Sequence, residues 1–327
     1  MATTTATPPP SELPPGNHRT AAQVAEHYQD NVKDKVFLVT GAYSGIGVET
    51  CKALLQYGAA TVIVAGRSQK LQDEFVAQLK QDYPDDDNDK KINGSHVIDL
   101  SDLDSVKQFA AYVDGAYVKI DVLILNAGIM NPRAGVTKNG FEQQMGVNCL
   151  GPFLLAKLLA AKIVRQVWLS SLAHTRNGSP RIDIEYYRTF SMEKPYHGWV
   201  AYQQSKLGDI LLAKEFAKRY PQLETCSLHP GVIRTNLSRH MTIWDMLHFV
   251  FIRTPQLILS GGKNPMKTIP QGAATTVHCA VLPSHELQPG GAYYANCDVA
   301  TESESAKNEE DAAAFFEYCD QVTKDFQ

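Results

Sequence analysis

Short apolar runs alternate with amphipathic stretches from residue 35 onward, and this alternation limits the possible folds most strongly. The runs KVFLVT (35–40), ATVIVAG (60–66) and KIDVLILNAG (119–128) have the composition of buried strands. Near-continuous apolar strands that alternate with helices indicate a parallel sheet with helices on both faces. Neither a repeat nor an interior linker divides the chain. The sequence therefore predicts an α/β fold with a single doubly wound parallel-sheet (Rossmann) domain.

The same alternation continues through the second half of the chain. It predicts one long helix over 140–162, a strand over 164–171, a helix over 201–220 and a strand over 224–231. A capped terminal helix is expected near the end, with Glu309, Glu310 and Asp311 close to its N-terminus, where acidic side chains are stabilising.

Residues 1–30 differ in composition from the rest of the 327-residue chain. Their first part, MATTTATPPPSELPPGN, is rich in Thr and Pro, contains no basic residue and cannot form a core. We therefore expect residues 1–30 to be a disordered Pro/Thr-rich tail and lead-in, and residues 31–327 to form the domain. Because a transit peptide would contain arginines, we do not interpret the tail as a targeting signal.

Charge, hydropathy and cysteine usage exclude several classes of function. The formal net charge of −4 gives no reason to expect nucleic acid as a partner. No apolar run approaches the ~20 residues of a membrane span. The six cysteines are scattered without a C-x-x-C pair, which indicates reduced thiols and a cytoplasmic protein. The ten histidines form no metal-binding pattern, so no metal site is predicted, and His174 and His229 are interpreted as structural.

The stretch TGAYSGIG (40–47) connects the first predicted strand to the first helix. Its glycines Gly41, Gly45 and Gly47 have the spacing G-x-x-x-G-x-G. Small residues there let the backbone approach a pyrophosphate, which the N-terminal amides and the dipole of the helix then hold. Because the turn lies between a strand and a helix, we interpret it as a nucleotide-binding turn and not as an ordinary glycine turn.

The end of the second predicted strand indicates which nucleotide binds. Enzymes that use NAD usually carry Asp or Glu about 20 residues after the glycine turn, where the carboxylate accepts from the ribose 2′-OH. This chain has Gly66 and then Arg67 at that place. A carboxylate would repel a 2′-phosphate, whereas a guanidinium binds it through charge-assisted hydrogen bonds. The sequence therefore predicts NADP(H), the alternative being that Arg67 is a solvated loop residue.

Tyr202 and Lys206 lie four residues apart in the helical stretch WVAYQQSKLGDI (199–210). Residues at this spacing share one face of a helix. An ammonium group beside a phenol favours the phenolate, so the pair could act as an acid and the cation that tunes it. The pair alone is a weak signal, because the same spacing also occurs on ordinary helix surfaces.

Taken together, the motifs resemble those of the short-chain dehydrogenase/reductase family. TGAYSGIG, NAG at 126–128, SS at 170–171 and YQQSK at 202–206 occur in that family's order, and the match covers roughly residues 34–300. SSLAH, AYQQSKL and LHPGVIRTNL are most similar to the branch that holds retinol dehydrogenases and protochlorophyllide reductases. The resemblance implies hydride transfer between NADP(H) and a carbonyl or alcohol.

The resemblance also assigns roles to individual residues. Tyr202 would exchange a proton with the substrate oxygen, and Lys206 would tune Tyr202 and hydrogen-bond the nicotinamide ribose. Ser171 would hold the substrate oxygen, and Asn148 would anchor a water in the proton relay. The implied cofactor-binding residues also include Asp99 at the adenine and Ile233 with Thr235 at the nicotinamide end. The full cofactor-binding set is Gly41, Tyr43, Ser44, Gly45, Ile46, Gly47, Arg67, Asp99, Leu100, Asn126, Ala127, Gly128, Tyr202, Lys206, Pro230, Gly231, Ile233 and Thr235.

Two segments depart from the usual pattern of that branch. The segment between Asn148 and Ser171 is short by about two helical turns. The corresponding helix often builds the dimer interface in the family, so both a monomer and a homodimer stay open. The region about 237–262 takes the place of the substrate-binding helices. Its apolar stretch 237–259 fits a lipophilic substrate, a membrane-surface contact or packing against the sheet.

We therefore expect an NADP(H)-dependent oxidoreductase that acts on an apolar aldehyde, ketone or alcohol. Two alternatives stay open on the same motifs. The first is a catalytically silent NADP(H)-binding regulatory protein, against which the intact set Asn148, Ser171, Tyr202 and Lys206 argues. The second is a sugar-nucleotide epimerase or dehydratase, which usually needs a larger C-terminal domain than the residues after HPG (229–231) provide.

Overall fold

One twisted sheet forms the centre of the molecule and confirms the predicted fold class. The computed structural model describes residues 15–85, 87–178, 181–193, 195–233 and 266–327. The strands are β1 (Val36–Thr40), β2 (Thr61–Ala65), β3 (Ile92–Asn93), β4 (Ile120–Leu125), β5 (Ile163–Leu169), β6 (Glu224–His229), β7 (Tyr293–Ala295) and β8 (Asp298–Val299). They form an 8-stranded sheet in the order β3-β2-β1-β4-β5-β6-β7-β8. All neighbouring strands are parallel except β7 and β8, which are antiparallel.

Helices cover both faces of this sheet. They are α1 (Ala21–His27), α2 (Gln29–Val32), α3 (Ile46–Gln56), α4 (Gln69–Asp82), α5 (Asn88–Lys91), α6 (Leu103–Ala116), α7 (Gln143–Met145), α8 (Gly151–Leu158), α9 (Ile184–Arg188), α10 (Gly198–Arg219), α11 (Ile269–Val281) and α12 (Glu309–Val322). Side chains of α1, α3 and α11 belong to one buried apolar cluster, and those of α6, α8, α10 and α12 belong to the other. The sheet therefore separates two cores, as expected for a doubly wound fold.

The strand order reverses between β1 and β4. From β1 the chain continues to β2 and β3 on one side, and it then returns to place β4 on the other side. In open α/β sheets a ligand binds at the carboxyl ends of the strands where the order reverses. The ends of β1 and β4, at Thr40 and Leu125, mark that place here.

Part of the segment before β1 is folded onto the domain. Thr20 caps α1 through a capping box with Gln23, and Ala21 and Val24 are buried in the same core as α3 and α11. Residues 1–14 lie outside the described residues, so the expected disorder of the tail stays a prediction for them. The expected substrate region 237–262 and Thr235 also lie outside the described residues.

The helix predicted over 140–162 is shorter and interrupted. It begins at Gln143 as α7, passes through a π-helical turn at Gly146–Leu150, and ends with α8 at Leu158. The strand β5 starts only five residues later, at Ile163. The terminal helix is as predicted: α12 begins at Glu309 and Asn308 caps it. Among the helices that the structure describes, none is long and apolar enough to cross a membrane.

Candidate active site

The turn after β1 has a backbone that only glycine adopts without strain. Gly41 and Gly45 have φ angles of 65° and 54°, in the left-handed region. A Cβ atom at Gly47 would lie 2.3 Å from the carbonyl oxygen of Gly41. Ser44 is exposed on this turn, and Ile46 begins α3. The turn therefore directs the N-terminus of α3 into the crevice at the switch point, where it can hold a phosphate.

Asn126 braces this turn from the end of β4. Its Nδ2 donates to the carbonyl oxygens of Thr40, at 2.8 Å, and Gly41, at 3.2 Å. The backbone N–H of Ala127 donates to Thr40 Oγ1 at 3.1 Å. The first two residues of the NAG stretch thus connect β4 to the glycine turn, a structural task that the sequence analysis did not anticipate.

The ring of Tyr43 explains the glycine at position 66. A Cβ atom at Gly66 would lie 2.2 Å from Cε1 of Tyr43. The backbone N–H of Ser68 donates to the Tyr43 hydroxyl at 3.0 Å and fixes the ring there. In the sequence, Gly66 indicates only that no carboxylate is present at this position. The structure adds that no side chain fits at position 66 while Tyr43 holds this place.

Arg67 and Asp99 lie in two neighbouring loops. Arg67 follows β2, and Asp99 precedes α6. The Arg67 side chain is exposed, and it makes no hydrogen bond or ion pair with the described residues. Asp99 is held in its loop because its Oδ1 accepts from the backbone N–H of Ser101 at 2.9 Å and from its hydroxyl at 2.7 Å. Leu100 is buried under Gly151, the first residue of α8. A free guanidinium therefore lies at the end of β2, next to the glycine turn.

The two serines after β5 have different surroundings. The Ser170 hydroxyl is buried and donates to the carbonyl oxygen of Lys206 at 2.5 Å. Ser171 is partly exposed, and its Oγ accepts from the backbone N–H of Ala173 at 3.2 Å. The Ser171 hydroxyl proton has no acceptor among the described residues. Ser170 is thus engaged within the fold, while Ser171 can still donate to a ligand.

Tyr202 and Lys206 are both buried on α10. Lys206 Nζ donates to the carbonyl oxygen of Leu169 at 2.7 Å and to Asp209 Oδ2 at 2.8 Å. Burial lowers the pKa of Lys206, but the charge of Asp209 and the neighbouring Tyr202 outweigh it and raise the pKa above its ordinary value. Lys206 is therefore a cation with one ammonium proton left for a ligand.

Asn148 lies in the π-helical turn Gly146–Leu150. Its Nδ2 donates to the carbonyl oxygen of Ile129 at 3.0 Å and to Ser205 Oγ at 2.9 Å, and its Oδ1 accepts from the Ile129 N–H at 2.8 Å. Such turns occur frequently at functional sites. Both amide N–H groups are used within the fold, so a relay water at Asn148 would have to donate to one of its oxygens.

Gly128 leaves a gap in front of these groups. A Cβ atom there would lie 3.3 Å from Asn148 Oδ1 and 3.6 Å from Lys206 Nζ. The π-helical turn, α10 and the end of β5 therefore meet behind the NAG stretch. The structure brings the predicted catalytic residues to one edge of the sheet, and their roles stay predictions.

The loop after β6 contributes the predicted residues of the nicotinamide end. Pro230 and Gly231 follow β6, and Gly231 has a φ angle of 100°. Ile233 pairs with Lys267 in an isolated parallel bridge, and its side chain packs on Gly272 of α11. The predicted partner Thr235 lies beyond the described residues.

His174 and His229 have partners within the fold. His174 Nε2 accepts from the backbone N–H of Ser303 at 3.2 Å, so its Nδ1 carries the proton and donates to the Ser171 carbonyl oxygen at 2.6 Å. Burial lowers the pKa of His174. His229 Nδ1 accepts from the Leu172 N–H at 3.1 Å. These contacts agree with the structural interpretation of both residues.

Asp209 is a site residue that sequence reasoning missed. It is buried, one turn of α10 beyond Lys206, and it forms an ion pair with that lysine. The only available signal was the i,i+3 spacing of opposite charges on a helix, which usually marks a solvated helix face.

Within the described residues, no group of His, Cys, Asp and Glu side chains could hold a metal ion.

Comparison with known proteins identifies relatives of this chain. The family model for short chain dehydrogenase matches residues 35–172. Human retinol dehydrogenase 11 is 36% identical over 286 residues, which cover 84% of this chain and 81% of that protein. The chloroplastic short-chain dehydrogenase TIC 32 A of Brassica napus is 32% identical over 305 residues, covering 89% and 88% of the two chains.

A solved structure shares the fold over most of its length. The crystal structure of an uncharacterized protein from Mycobacterium paratuberculosis superposes with a TM-score of 0.68 at 28% identity. The superposition covers 89% of this chain and 94% of that one.

Proposed function

The chain belongs to the short-chain dehydrogenase/reductase family, in its retinol-dehydrogenase-like branch, and we propose that it is an NADP(H)-dependent enzyme acting on apolar carbonyls and alcohols. Membership of the family makes it an oxidoreductase that transfers a hydride with a nicotinamide cofactor. The proposal adds the preference for NADP(H), the apolar substrate and the residues that carry out the reaction.

The residues at the switch point fit a dinucleotide. A Cβ atom at Gly41 would lie 2.9 Å from Cα of Ala127, and one at Gly47 would lie 2.3 Å from a carbonyl oxygen. The close-packed, positive-φ turn therefore exposes backbone amides and the N-terminus of α3, which together attract phosphate. Gly128 leaves open the path from this turn to Lys206.

The exposed guanidinium of Arg67, which has no partner among the described residues, is the observation that carries the cofactor preference. Arg67 lies two residues after the end of β2, in the region where enzymes specific for NAD usually carry a carboxylate. Tyr43 occupies the space of a side chain at position 66, so that position cannot supply the carboxylate. A 2′-phosphate next to Arg67 would gain charge-assisted hydrogen bonds without having to displace an acidic partner.

The candidate catalytic groups fit proton transfer to a carbonyl oxygen. These residues would hold a nicotinamide cofactor that would supply a hydride to the carbonyl carbon, and negative charge would then develop on the carbonyl oxygen. Tyr202 gives its hydroxyl proton to that oxygen, and Ser171 donates a hydrogen bond to it. Lys206 stabilises the resulting phenolate until Tyr202 takes up a proton from water. Alcohol oxidation follows the same path in reverse.

The apolar substrate and the cytoplasmic location are supported by other observations. An apolar substrate is supported by the relatives named retinol dehydrogenases, since retinol is an apolar alcohol. The stretch 237–259, which is apolar in sequence, also supports it. A cytoplasmic location is supported by six free, buried cysteines, although one relative is named as chloroplastic.

Titration of both cofactors tests the central part of this proposal. Wild type should bind NADPH at least ~10-fold more tightly than NADH, because a hydrogen bond to a charged group contributes about 1.5–3 kcal/mol. Arg67→Ala should remove most of that preference and leave NADH binding almost unchanged. Added salt should narrow the wild-type preference, since an exposed ion pair is screened. Fluorescence titration measures all four dissociation constants.

Lys70→Ala is the matched control. Lys70 is an exposed cation on α4 that pairs only loosely with Glu74, at 4.0 Å. Its removal changes the net charge equally but should keep the preference for NADPH. Wild type that prefers NADH, or an Arg67→Ala variant that loses both cofactors equally, would contradict the proposed preference.

A further inference from the structure

Lys206 has a buried ionic partner that the proposed mechanism does not use. The side chains of Lys206 and Asp209 are 8% and 3% exposed, and Nζ lies 2.8 Å from Oδ2. Charged groups are rarely buried unless they are paired, and burying the pair is itself costly. An uncharged residue at position 209 would leave the Lys206 ammonium buried without a counter-charge, so Asp209 controls the electrostatic state of Lys206.

Among the described residues, few other ionisable groups face Asp209. On α10 its partner is Lys206, and Tyr202 in turn acts on Lys206. From the π-helical turn, Cys149 Sγ lies 3.9 Å from Asp209 Oδ1. Cys319 of α12 and Glu142 before α7 act on Cys149 from further away. Among these groups, Lys206 is the cation.

The charge state of the pair follows from these surroundings. Burial raises the pKa of Asp209 to about 6, against the opposing effect of Lys206. Burial also raises the pKa of the Cys149 thiol well above its usual value, so the thiol stays neutral. At pH 7 and above the pair therefore consists of one ammonium and one carboxylate, with no net charge.

A neutral pair acts on Tyr202 differently from a lone ammonium. An unpaired Lys206 would attract the phenolate and help Tyr202 to lose its proton. A carboxylate in contact with the same ammonium cancels much of that field, and the cancellation is effective because the site is buried and weakly screened. Carbonyl reduction needs the protonated phenol, whereas alcohol oxidation needs the phenolate.

We propose that Asp209 is a positioning residue that holds Lys206 against the Leu169 carbonyl and weakens its pull on the Tyr202 proton, so that the site favours carbonyl reduction at neutral pH. This inference rests on the proposed function and adds the direction in which the reaction is favoured. It also explains the hydrogen-bond arrangement, because Leu169 and Asp209 take two of the three ammonium protons and leave one for a ligand.

The test compares pH profiles of wild type, Asp209→Asn and Glu215→Gln. Asparagine keeps an oxygen that accepts from Lys206 but removes the charge. The pH midpoint of kcat/KM for alcohol oxidation with NADP⁺ should move to lower pH by about one unit, a tenfold change at a fixed pH on the rising limb. The midpoint for reduction with NADPH should move in the same direction. The substrate is whichever aldehyde or ketone of a panel turns over fastest, with its alcohol.

Glu215→Gln is the control on the same helix. Glu215 is also buried and paired, with Arg219 at 2.7 Å, but it lies more than two turns beyond Lys206. A purely structural role for Asp209 would lower thermal stability in both variants and move neither midpoint. A folded Asp209→Asn protein with an unmoved midpoint would overturn the inference.

A second measurement does not depend on turnover. The ultraviolet difference absorbance of tyrosinate, taken between each protein and its Tyr202→Phe counterpart with NADP⁺ present, reports ionisation of Tyr202 directly. The Asp209→Asn protein should show this ionisation at lower pH, and Asp209→Ser provides a smaller substitution if asparagine prevents folding. If Tyr202→Phe keeps full activity, the proposed function itself fails. If only the midpoint fails to move, the inference about Asp209 fails alone.

Discussion

Two neighbouring serines after β5 have different surroundings. Ser170 is buried and donates to the carbonyl oxygen of Lys206, which holds α10 against β5. Ser171 is partly exposed, and its hydroxyl proton is not used by any residue that the structure describes. Because the two hydroxyls have different surroundings, substitution of each serine should have a different consequence.

We expect Ser171→Ala to lower kcat by roughly 10²-fold, because it removes a hydrogen bond to the oxygen on which charge develops. Its melting temperature should match wild type. Ser170→Ala should instead lower the free energy of unfolding by about 1 kcal/mol, since it leaves a buried carbonyl without its donor. Steady-state kinetics and thermal denaturation of both proteins check this, and the reverse pattern would assign the catalytic role to Ser170.

Tyr202→Phe tests the proton donor. Because phenylalanine has no hydroxyl, turnover should fall roughly 10²–10⁴-fold. NADPH affinity should change little, since Lys206 and the glycine turn are intact. Titration of the cofactor and a turnover assay on the same preparation separate the two effects, and near wild-type turnover would refute the assignment.

The candidate reactive groups of this site can be named from the sequence, whereas the residues that position them cannot. Tyr202 and Lys206 are visible because they are four residues apart on one helix. Asp209 resembles any polar helix residue until its burial is known. Tyr43 and Gly66 are far apart in the sequence, and only the folded structure shows the ring above the glycine. Contacts between distant parts of the chain therefore mark the limit of the sequence analysis.

At the scale of elements, hydrophobic periodicity located most strands and helices but not their interruptions. The sequence analysis predicts one continuous helix over 140–162, although this stretch contains Gly146, Gly151 and Pro152, which disfavour a helix interior. In the structure the π-helical turn at Gly146–Leu150 shifts the helix by one residue, and the side chain of Asn148 is anchored there by Ile129 and Ser205. This anchoring depends on α10 and the loop after β4, which a local pattern does not contain.

Arg165 connects three elements through one side chain. It lies on β5 with its guanidinium buried, and it pairs with Glu224 of β6 at 2.6 Å. Its Nη1 also donates to the carbonyl oxygens of Cys279, Ala280 and Leu282 at the end of α11. Since these carbonyls have no further helical partner, the arginine caps the C-terminus of α11.

Arg165→Met should lower the free energy of unfolding by about 2–3 kcal/mol, because it leaves the helix carbonyls without donors and removes hydrogen bonds from a charged group. The preference for NADPH over NADH should not change. Urea denaturation measures the first effect and cofactor titration the second. A variant as stable as wild type would show that water replaces the arginine at this helix end.

At the scale of the whole molecule, His278 links stability to pH. It is buried on α11, and burial lowers its pKa to about 4, with the Arg19 charge contributing in the same direction. In the unfolded chain a histidine takes up a proton near pH ~6.5. Because the folded pKa is the lower one, the stability from neutral His278 is complete above that value and is lost as the pH falls towards 4.

His278→Gln should therefore flatten the acid side of the stability profile. Between pH 7 and pH 4 the wild-type protein should lose about 3 kcal/mol from this residue, and the variant should not. Melting temperatures at both pH values, with His285→Gln as an exposed histidine control, provide the measurement. Equal losses of stability in the wild type and in both variants would show that other groups cause the acid sensitivity.

The C-terminal helix determines which helix faces are free for a partner subunit. The ring of Phe316 on α12 lies 4.9 Å from the ring of Phe153 on α8 and 5.2 Å from the ring of Phe216 on α10. Phe315 packs over Gly208, where a Cβ atom would lie 2.7 Å from its Cε1. The resemblance noted above gives the α8 region a common role in dimerisation, and in this chain α12 covers that surface.

We therefore expect the protein to be a monomer of 36.1 kDa in solution. A stable homodimer usually needs a large apolar interface, and α12 already uses the apolar side chains of α8 and α10 within one chain.

Deletion of residues 309–327 should expose those side chains and produce dimers or aggregates. Phe316→Asp should have the same effect through a buried, unpaired charge, whereas Glu317→Ala, on the exposed side of α12, should leave a monomer. Sedimentation equilibrium distinguishes these states, and twice the monomer mass for the full-length chain would show that another surface of the molecule forms the interface.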